Sequence, residues 1–261
     1  MLAIDLSDKR ALVTGASDGV GAGVATALAK AGCHVVGTGR VEPDHPRAQK
    51  FIDTVASHGR HAHYLSGDLS RAETPALFVQ QAAGLLGGLD IVVSNAGLNV
   101  FKGTEHCSEE DWSYNMELNL ASHWRLGKAA LPFLRDSKGV FQVMNSNHAY
   151  STIKGCFPYQ TTKAALLGLV QSAAIEWGPD VRVVGIAPGF IDTPGNQVWF
   201  DQFPDPAAER KRTEELHPTK SIGQADEVGA LSAFLASSYA QFITGNTILM
   251  DGGRSAIMQD I

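Results

Sequence analysis

Cysteine is scarce in this chain. Cys33, Cys107 and Cys156 lie far apart, with no C-x-x-C pair. That excludes a disulfide scaffold or a cysteine-rich metal site and points to reduced thiols in a cytoplasmic protein. No apolar run approaches the roughly 20 residues of a membrane span. The opening MLAIDLSDKR lacks the basic-then-apolar pattern of a secretory signal, so neither membrane nor export is expected. Basic charge is also short. Against 27 Asp and Glu stand 21 Lys and Arg, for a net charge of −6, which argues against a nucleic-acid-binding face. There is no H-E-x-x-H, and His61 and His63 alternate along one short segment with no third ligand in view. Metal catalysis is therefore not expected, nor is a Ser/His/Asp hydrolase. Linkers, internal repeats and low-complexity tracts are missing too, so one folded unit over 1–261 is expected.

What the chain has is 44% hydrophobic residues and 27 glycines, arranged in a repeating rhythm. Short β-branched runs at 10–15, 33–39, 61–68, 89–97, 139–146, 181–189 and 246–253 read as strands. Between them lie helical patterns, at 20–32 and near 73–86, 109–135 and 160–177. Such alternation predicts an α/β fold, a doubly wound parallel sheet of about seven strands with helices on both faces. The rhythm breaks between Gly189 and Gly223, where four prolines, several aromatics and a short charged helix pattern occur. A long irregular insertion after a strand reads as a substrate lid over about 190–223.

The first strand runs into TGASDGVG at 14–21 and then a helix. Gly15, Gly19 and Gly21 let the backbone turn tightly and approach a pyrophosphate, with unpaired N–H groups of the helix start facing the anion. The spacing G-x-x-x-G-x-G with Thr14 resembles the short-chain dehydrogenase/reductase family. So do SNAG at 94–97, Asp68 after the third strand, PGFIDT at 188–193 and FITGNTILMDGG at 242–253. The resemblance thus spans residues 14 to 253 and implies a Rossmann-type nicotinamide site. By the same resemblance, the cofactor-binding residues include Ser17, Asp18 and Val20 in the turn, Asp68 and Leu69 near the adenine, and Asn95, Ala96 and Gly97. Pro188, Gly189, Ile191 and Thr193 complete the set, the threonine holding the carboxamide.

Two tyrosines have a lysine four residues on: Tyr150 with Lys154, and Tyr159 with Lys163. Proton transfer requires the ammonium near the phenol, so that its charge favours the phenolate. Lys163 is followed by an uninterrupted helical run, so Tyr159 and Lys163 share a helix face. Gly155 and Pro158 oppose a helix after Lys154, which leaves Tyr150 in a loop. Each tyrosine also has a serine thirteen residues earlier. Ser137 precedes a strand, whereas Ser146 follows it, at the carboxyl edge where ligands bind in such sheets. Ser146, Tyr159 and Lys163 are therefore the expected catalytic group. The resemblance adds Asn119 as a fourth residue that holds a proton-relay water, and gives Lys163 the nicotinamide ribose.

These residues predict hydride transfer, with Tyr159 as general acid or base and Ser146 polarising the substrate oxygen. A non-catalytic cofactor-binding regulator and an epimerase or dehydratase are the rival classes. After the second strand, Gly39 stands where an NAD enzyme of this kind places an acidic residue, and Arg40 follows, able to pair with a 2′-phosphate. NADP is expected in preference to NAD, with Ser17 adding a hydrogen bond and Asp18 weighing against. Asn147 and His148 follow Ser146, a pattern that resembles the sugar-oxidising branch of the family. With Asn99, Asn196 and Trp199 they predict a small-molecule substrate, a sugar or polyol. Phe190, Trp199, Phe200 and Phe203 suit a bulkier hydrophobic ketone instead. Family habit implies a homotetramer or homodimer.

Overall fold

Strand-forming runs that are apolar at consecutive positions need cover on both faces, and the chain supplies it. The computed structural model describes residues 3–258. Six strands follow in chain order: β1 (Arg10–Thr14), β2 (His34–Gly39), β3 (Ala62–Ser66), β4 (Ile91–Ser94), β5 (Val140–Met144) and β6 (Arg182–Pro188). Two short strands, β7 (Ile191–Asp192) and β8 (Gly223–Gln224), pair with each other, and β9 (Thr247–Met250) closes the series. The large sheet has seven strands, all parallel, in the order β3-β2-β1-β4-β5-β6-β9. All seven lie where the sequence pattern put them. After β3 the chain crosses back to the other side of β1, and this reversal opens a crevice at the carboxyl ends of β1 and β4.

The helices are α1 (Gly19–Lys30), α2 (Pro46–Ala56), α3 (Thr74–Leu86), α4 (Glu109–Met116), α5 (Ser122–Ser137), α6 (Tyr159–Trp177), α7 (Pro194–Phe200), α8 (Pro206–Glu215) and α9 (Ala225–Ala236). Alternate residues of each strand serve opposite faces. Ala11, Val13, Val35 and Ile91 pack under α1, α2 and α9, while Leu12, Val36, Val92 and Phe141 pack under α3, α5 and α6. The α1 and α9 backbones cross in near contact, since a Cβ on Gly229 would stand 2.5 Å from the Gly23 carbonyl oxygen.

Three features differ from the sequence pattern. The segment 46–56, opened by Pro46 at a first helical position and capped by His45, forms α2 with Ala48, Phe51 and Val55 buried. The helical stretch expected over 109–135 is interrupted by a π turn at Glu117–Ala121. The segment after Gly189 is less irregular than its prolines imply. Pro194 and Pro206 each stand at the start of a helix, capped by Thr193 and Asp205.

Candidate active site

Tyr159 opens α6 and Lys163 stands one turn later, both buried. The Lys163 Nζ lies 5.5 Å from the Tyr159 ring centroid and donates to the Met144 carbonyl at the end of β5, 2.9 Å away. Ser146, two residues past that strand, is also buried, and its hydroxyl accepts from the His148 N–H at 3.2 Å. Burial pushes the Tyr159 phenol up to about 12, while the hydrogen-bonding Ser146 hydroxyl opposes that shift. Burial also pulls Lys163 down to about 7. Near neutral pH the Tyr159 phenol thus keeps its proton, while Lys163 is divided between its charged and neutral forms.

The second tyrosine pattern falls apart in space. Tyr150 ends a short 3-10 turn, is 47% exposed, and donates its hydroxyl proton to the Thr247 carbonyl at 3.0 Å. Lys154 sits in the turn that follows, off any helix. Ser137 ends α5 and donates to the Leu89 carbonyl, at the far end of the sheet.

Asn119 lies in the π turn, fully buried. Its Oδ1 accepts from the Leu98 N–H at 2.9 Å, and its Nδ2 donates to the Leu98 carbonyl at 2.9 Å and to Asn115 Oδ1 at 2.8 Å. An inserted residue in a helix re-aims the side chain that follows, and such bulges recur at functional sites. The loop after β4 passes so close that a Cβ on Gly97 would stand 2.7 Å from Asn119 Oδ1 and 3.9 Å from Lys163 Nζ. Asn119, Gly97 and Lys163 therefore converge at one point.

The glycine turn forms a cradle beside them. Gly15 and Gly19 have positive φ, +67° and +56°, and a Cβ on Gly21 would overlap the Gly15 carbonyl oxygen. Thr14 Oγ1 accepts from the N–H groups of Asn95 and Ala96, and the Asn95 amide donates to the Thr14 carbonyl at 2.9 Å and the Gly15 carbonyl at 3.3 Å. The Asn95 side chain thus ties two turns together and leaves their backbones to line the crevice. Pro188 ends β6, and the Gly189 N–H donates to the Met250 carbonyl. That carries the chain past buried Ile191 to Thr193, whose methyl would lie 3.4 Å from a Cβ on Gly19. Val20 packs on the core from α1. Asp68 accepts from the Ser70 N–H and stands beside buried Leu69 beyond the end of β3. A cradle that any side chain would fill, with helix N–H groups at its floor, fits the pyrophosphate of a dinucleotide.

Charge at the far end of the cradle is more positive than the sequence implied. Asp18 caps α1 by accepting from the Gly19 N–H at 2.7 Å, and its other oxygen lies 3.7 Å from the Arg47 guanidinium. Its negative charge is thus offset by a residue of α2, which sequence reasoning missed because that helix went unrecognised. Arg40 is exposed just past β2. Residues 15–19 also match the G-x-S-x-G spacing of a hydrolase elbow. Ser17, however, faces Gly39 and Tyr64, and no histidine hydrogen-bonds to it among the described residues.

The mouth of the crevice is aromatic. Phe101 is held by a bridge to Pro158 and lies 5.5 Å from the Tyr159 ring and 5.9 Å from the His148 ring, edge-on to both. His148 Nδ1 faces Cys156 Sγ at 3.3 Å and Thr152 Oγ1 at 3.4 Å. Trp199 packs against Phe190, Phe200 and Phe203, and Asn196 donates its amide to the Ile191 carbonyl at 2.7 Å. Sequence reasoning did not mark Phe101, because it stands in an aperiodic loop. Nor did it mark the ion pair of Arg210 with Asp192, which fastens α8 to β7. Arg210→Ala is expected to speed proteolysis within 194–215 and to raise KM severalfold with a smaller change in kcat, as steady-state kinetics and limited digestion would show.

The chain matches a family model described as enoyl-(acyl carrier protein) reductase over residues 15–255. It is 32% identical over 252 residues to human dehydrogenase/reductase SDR family member 4, covering 95% of this chain and 88% of that protein. It is also 32% identical over 252 residues to 3beta-hydroxysteroid dehydrogenase 1 of Eggerthella lenta, covering 95% and 94%. Its structure resembles a 3-oxoacyl (acyl-carrier-protein) reductase from Agrobacterium tumefaciens C58 with NADP bound. That likeness has a TM-score of 0.88 at 30% identity and covers 95% of each chain.

Proposed function

Because the chain belongs to the short-chain dehydrogenase/reductase family, we propose that it is an NADP-dependent oxidoreductase interconverting a ketone and a secondary alcohol on a bulky, apolar small molecule. The observation that carries this reading is the buried group of Tyr159 with Ser146 and Lys163 beside it, and Gly97 of the loop after β4 against Lys163. The nicotinamide supplies the hydride chemistry. Ser146 hydrogen-bonds the substrate oxygen and stabilises its developing charge. Tyr159 gives that oxygen a proton in reduction and takes one in oxidation. Lys163 would hold the nicotinamide ribose, and its ammonium lowers the phenol's affinity for its proton. Asn119 fixes the loop after β4 and the proton path behind Lys163. A set so complete disfavours a regulator without turnover.

Gly15, Gly19 and Gly21 with Thr193 would hold the pyrophosphate and carboxamide, and Asp68 and Leu69 the adenine. Arg40, with Arg47 offsetting Asp18, supports NADP over NAD, as does the NADP in the Agrobacterium relative. Arg40→Ala is expected to weaken NADP binding about tenfold and NAD binding little, since charge-assisted bonds to phosphate contribute about 1.5–3 kcal/mol.

For the substrate, several of the polar groups that a sugar would use are already engaged. Asn196 serves Ile191, His148 Nδ1 faces Cys156, and Trp199 is packed among phenylalanines. Each substrate hydroxyl left unpaired would cost about 1–3 kcal/mol. Phe101 over Tyr159 and His148 instead offers an apolar wall, which favours the hydrophobic ketone, with the segment 190–223 as its lid over a single domain. The steroid activity in the name of the Eggerthella relative agrees. A panel of cyclic and aromatic ketones, aldoses and polyols, followed at the reduced nicotinamide band, tests this. Turnover of the ketones with NADPH and inert sugars is the expected result; brisk oxidation of aldoses with inert ketones would overturn it.

Ile175 and Phe242, 82% and fully exposed, stand on neighbouring segments, where Gly245 packs against Ala174. This apolar surface supports a homodimer or homotetramer. The three free cysteines agree with a cytoplasmic site of action. No helix among the described residues is long and apolar enough to cross a membrane.

A further inference from the structure

Tyr64, at the adenosine end of the crevice, takes no part in the chemistry above. It stands on β3 opposite Gly37 of β2, is 7% exposed, and lies with its ring 5.9 Å from that of Phe51. Its hydroxyl oxygen is buried without a hydrogen bond of normal geometry, the Ser17 hydroxyl being only a nearby polar group. Leaving such a group unpaired costs about 1–3 kcal/mol, and native structures rarely hold one without a reason. Burial pushes the phenol up, the Ser17 hydroxyl opposes and the nearby Glu42 carboxylate adds to the rise, so Tyr64 is a proton donor at any physiological pH.

The place of that hydroxyl is specific. A Cβ on Gly39 would overlap it and lie 3.1 Å from Ser17 Oγ. Gly39 is the last residue of β2, where a carboxylate would have to stand to accept the hydroxyls of an adenosine ribose. Tyr64 fills the first step of that side chain's path. Its hydroxyl oxygen occupies that spot, with Ser17 Oγ close by.

We propose that Tyr64 is a specificity-determining residue for the cofactor: it bars a carboxylate from position 39 and completes, with Ser17 and Arg40, a receptor for the 2′-phosphate. This rests on the NADP reading for the phosphate half, whereas the steric half stands on the overlap alone. The absence of a side chain at 39 is then not merely permissive of NADP. It is enforced by the neighbouring strand, so cofactor preference is encoded by a pair of positions rather than by the end of β2.

Equilibrium binding tests both halves without turnover. The ligands are adenosine 2′,5′-bisphosphate, AMP, NADP⁺ and NAD⁺, titrated calorimetrically into the wild-type chain, Tyr64→Phe, Gly39→Asp and the double variant Gly39→Asp/Tyr64→Val. Tyr64→Phe keeps the ring and is expected to weaken the bisphosphate about tenfold, the size of one hydrogen bond to a charged group, with AMP unchanged. Gly39→Asp alone is expected to lower Tm and weaken the bisphosphate without tightening NAD⁺. The double variant recovers Tm and binds NAD⁺ at least about tenfold more tightly than Gly39→Asp does. The steric half is overturned if Gly39→Asp alone binds NAD⁺ as tightly as the double variant. The phosphate half is overturned if Tyr64→Phe leaves bisphosphate affinity unchanged. Equal wild-type affinity for AMP and the bisphosphate overturns the phosphate half together with the NADP reading, while the comparison of single and double variants still decides the steric half.

Discussion

Replacing Tyr159 by phenylalanine is expected to lower kcat by about 10²- to 10⁴-fold, the usual contribution of a positioned general acid, with cofactor affinity little changed. Tyr159 is buried beside Ser146 and one helical turn from Lys163, so only the proton is lost and the ring still fills its place under Phe101. Tyr150→Phe provides the contrast within the same short stretch. Its hydroxyl reaches the Thr247 carbonyl and nothing reactive. That change is expected to keep activity of the same order and to cost about 0.5–1.5 kcal/mol of stability. Reversed losses would mean that the wrong tyrosine faces the substrate.

Lys163→Met is expected to abolish turnover and yet stabilise the fold. The lysine is 3% exposed, and burial lowers its pKa from 10.5 to about 7. A base with a depressed folded pKa favours the unfolded chain wherever that chain is protonated and the native one is not. Wild-type stability should therefore fall as pH drops from about 10.5 to about 7 and stay level below. At about 1.4 kcal/mol per unit the full shift amounts to on the order of 5 kcal/mol. Methionine fills much of the same volume, but it leaves the Met144 carbonyl without its donor, at a cost of about 1–3 kcal/mol. The net expectation is a Tm several degrees higher at pH 7, with the advantage over wild type shrinking as pH rises toward 10. Thermal melts across that range check it. A pH-independent difference would contradict a depressed Lys163 pKa in the free chain.

Much of this was legible in the residues, for identifiable reasons. The strands are short, β-branched and bounded by turn residues, a local signal that survives in one dimension. Ser146 and Ser137 are equally spaced from their tyrosines, and which end of β5 each occupies separated them. The parts that were not legible depend on partners distant in sequence. Nothing near Phe101 announces that Pro158 will hold it over Tyr159. Asp18 reads as a charge unfavourable to a phosphate until Arg47 arrives from a helix that the sequence pattern did not single out. Asn196 and Trp199 read as free ligand groups, whereas the lid uses them for its own packing and hydrogen bonding. The resemblance supplied a role for Asn119, but the π turn that aims it has no signature in a window of composition.

The central claim is that Tyr159 and Ser146 serve direct hydride transfer from NADPH to a ketone carbon. The most direct measurement uses NADPH deuterated at both C4 positions of the nicotinamide with a cyclic ketone, the alcohol product being read by mass spectrometry for wild type and Tyr159→Phe. The account predicts one deuterium on the carbinol carbon of the wild-type product and a rate that falls with the phenol. Product without deuterium, or equal rates for the two chains, would contradict it.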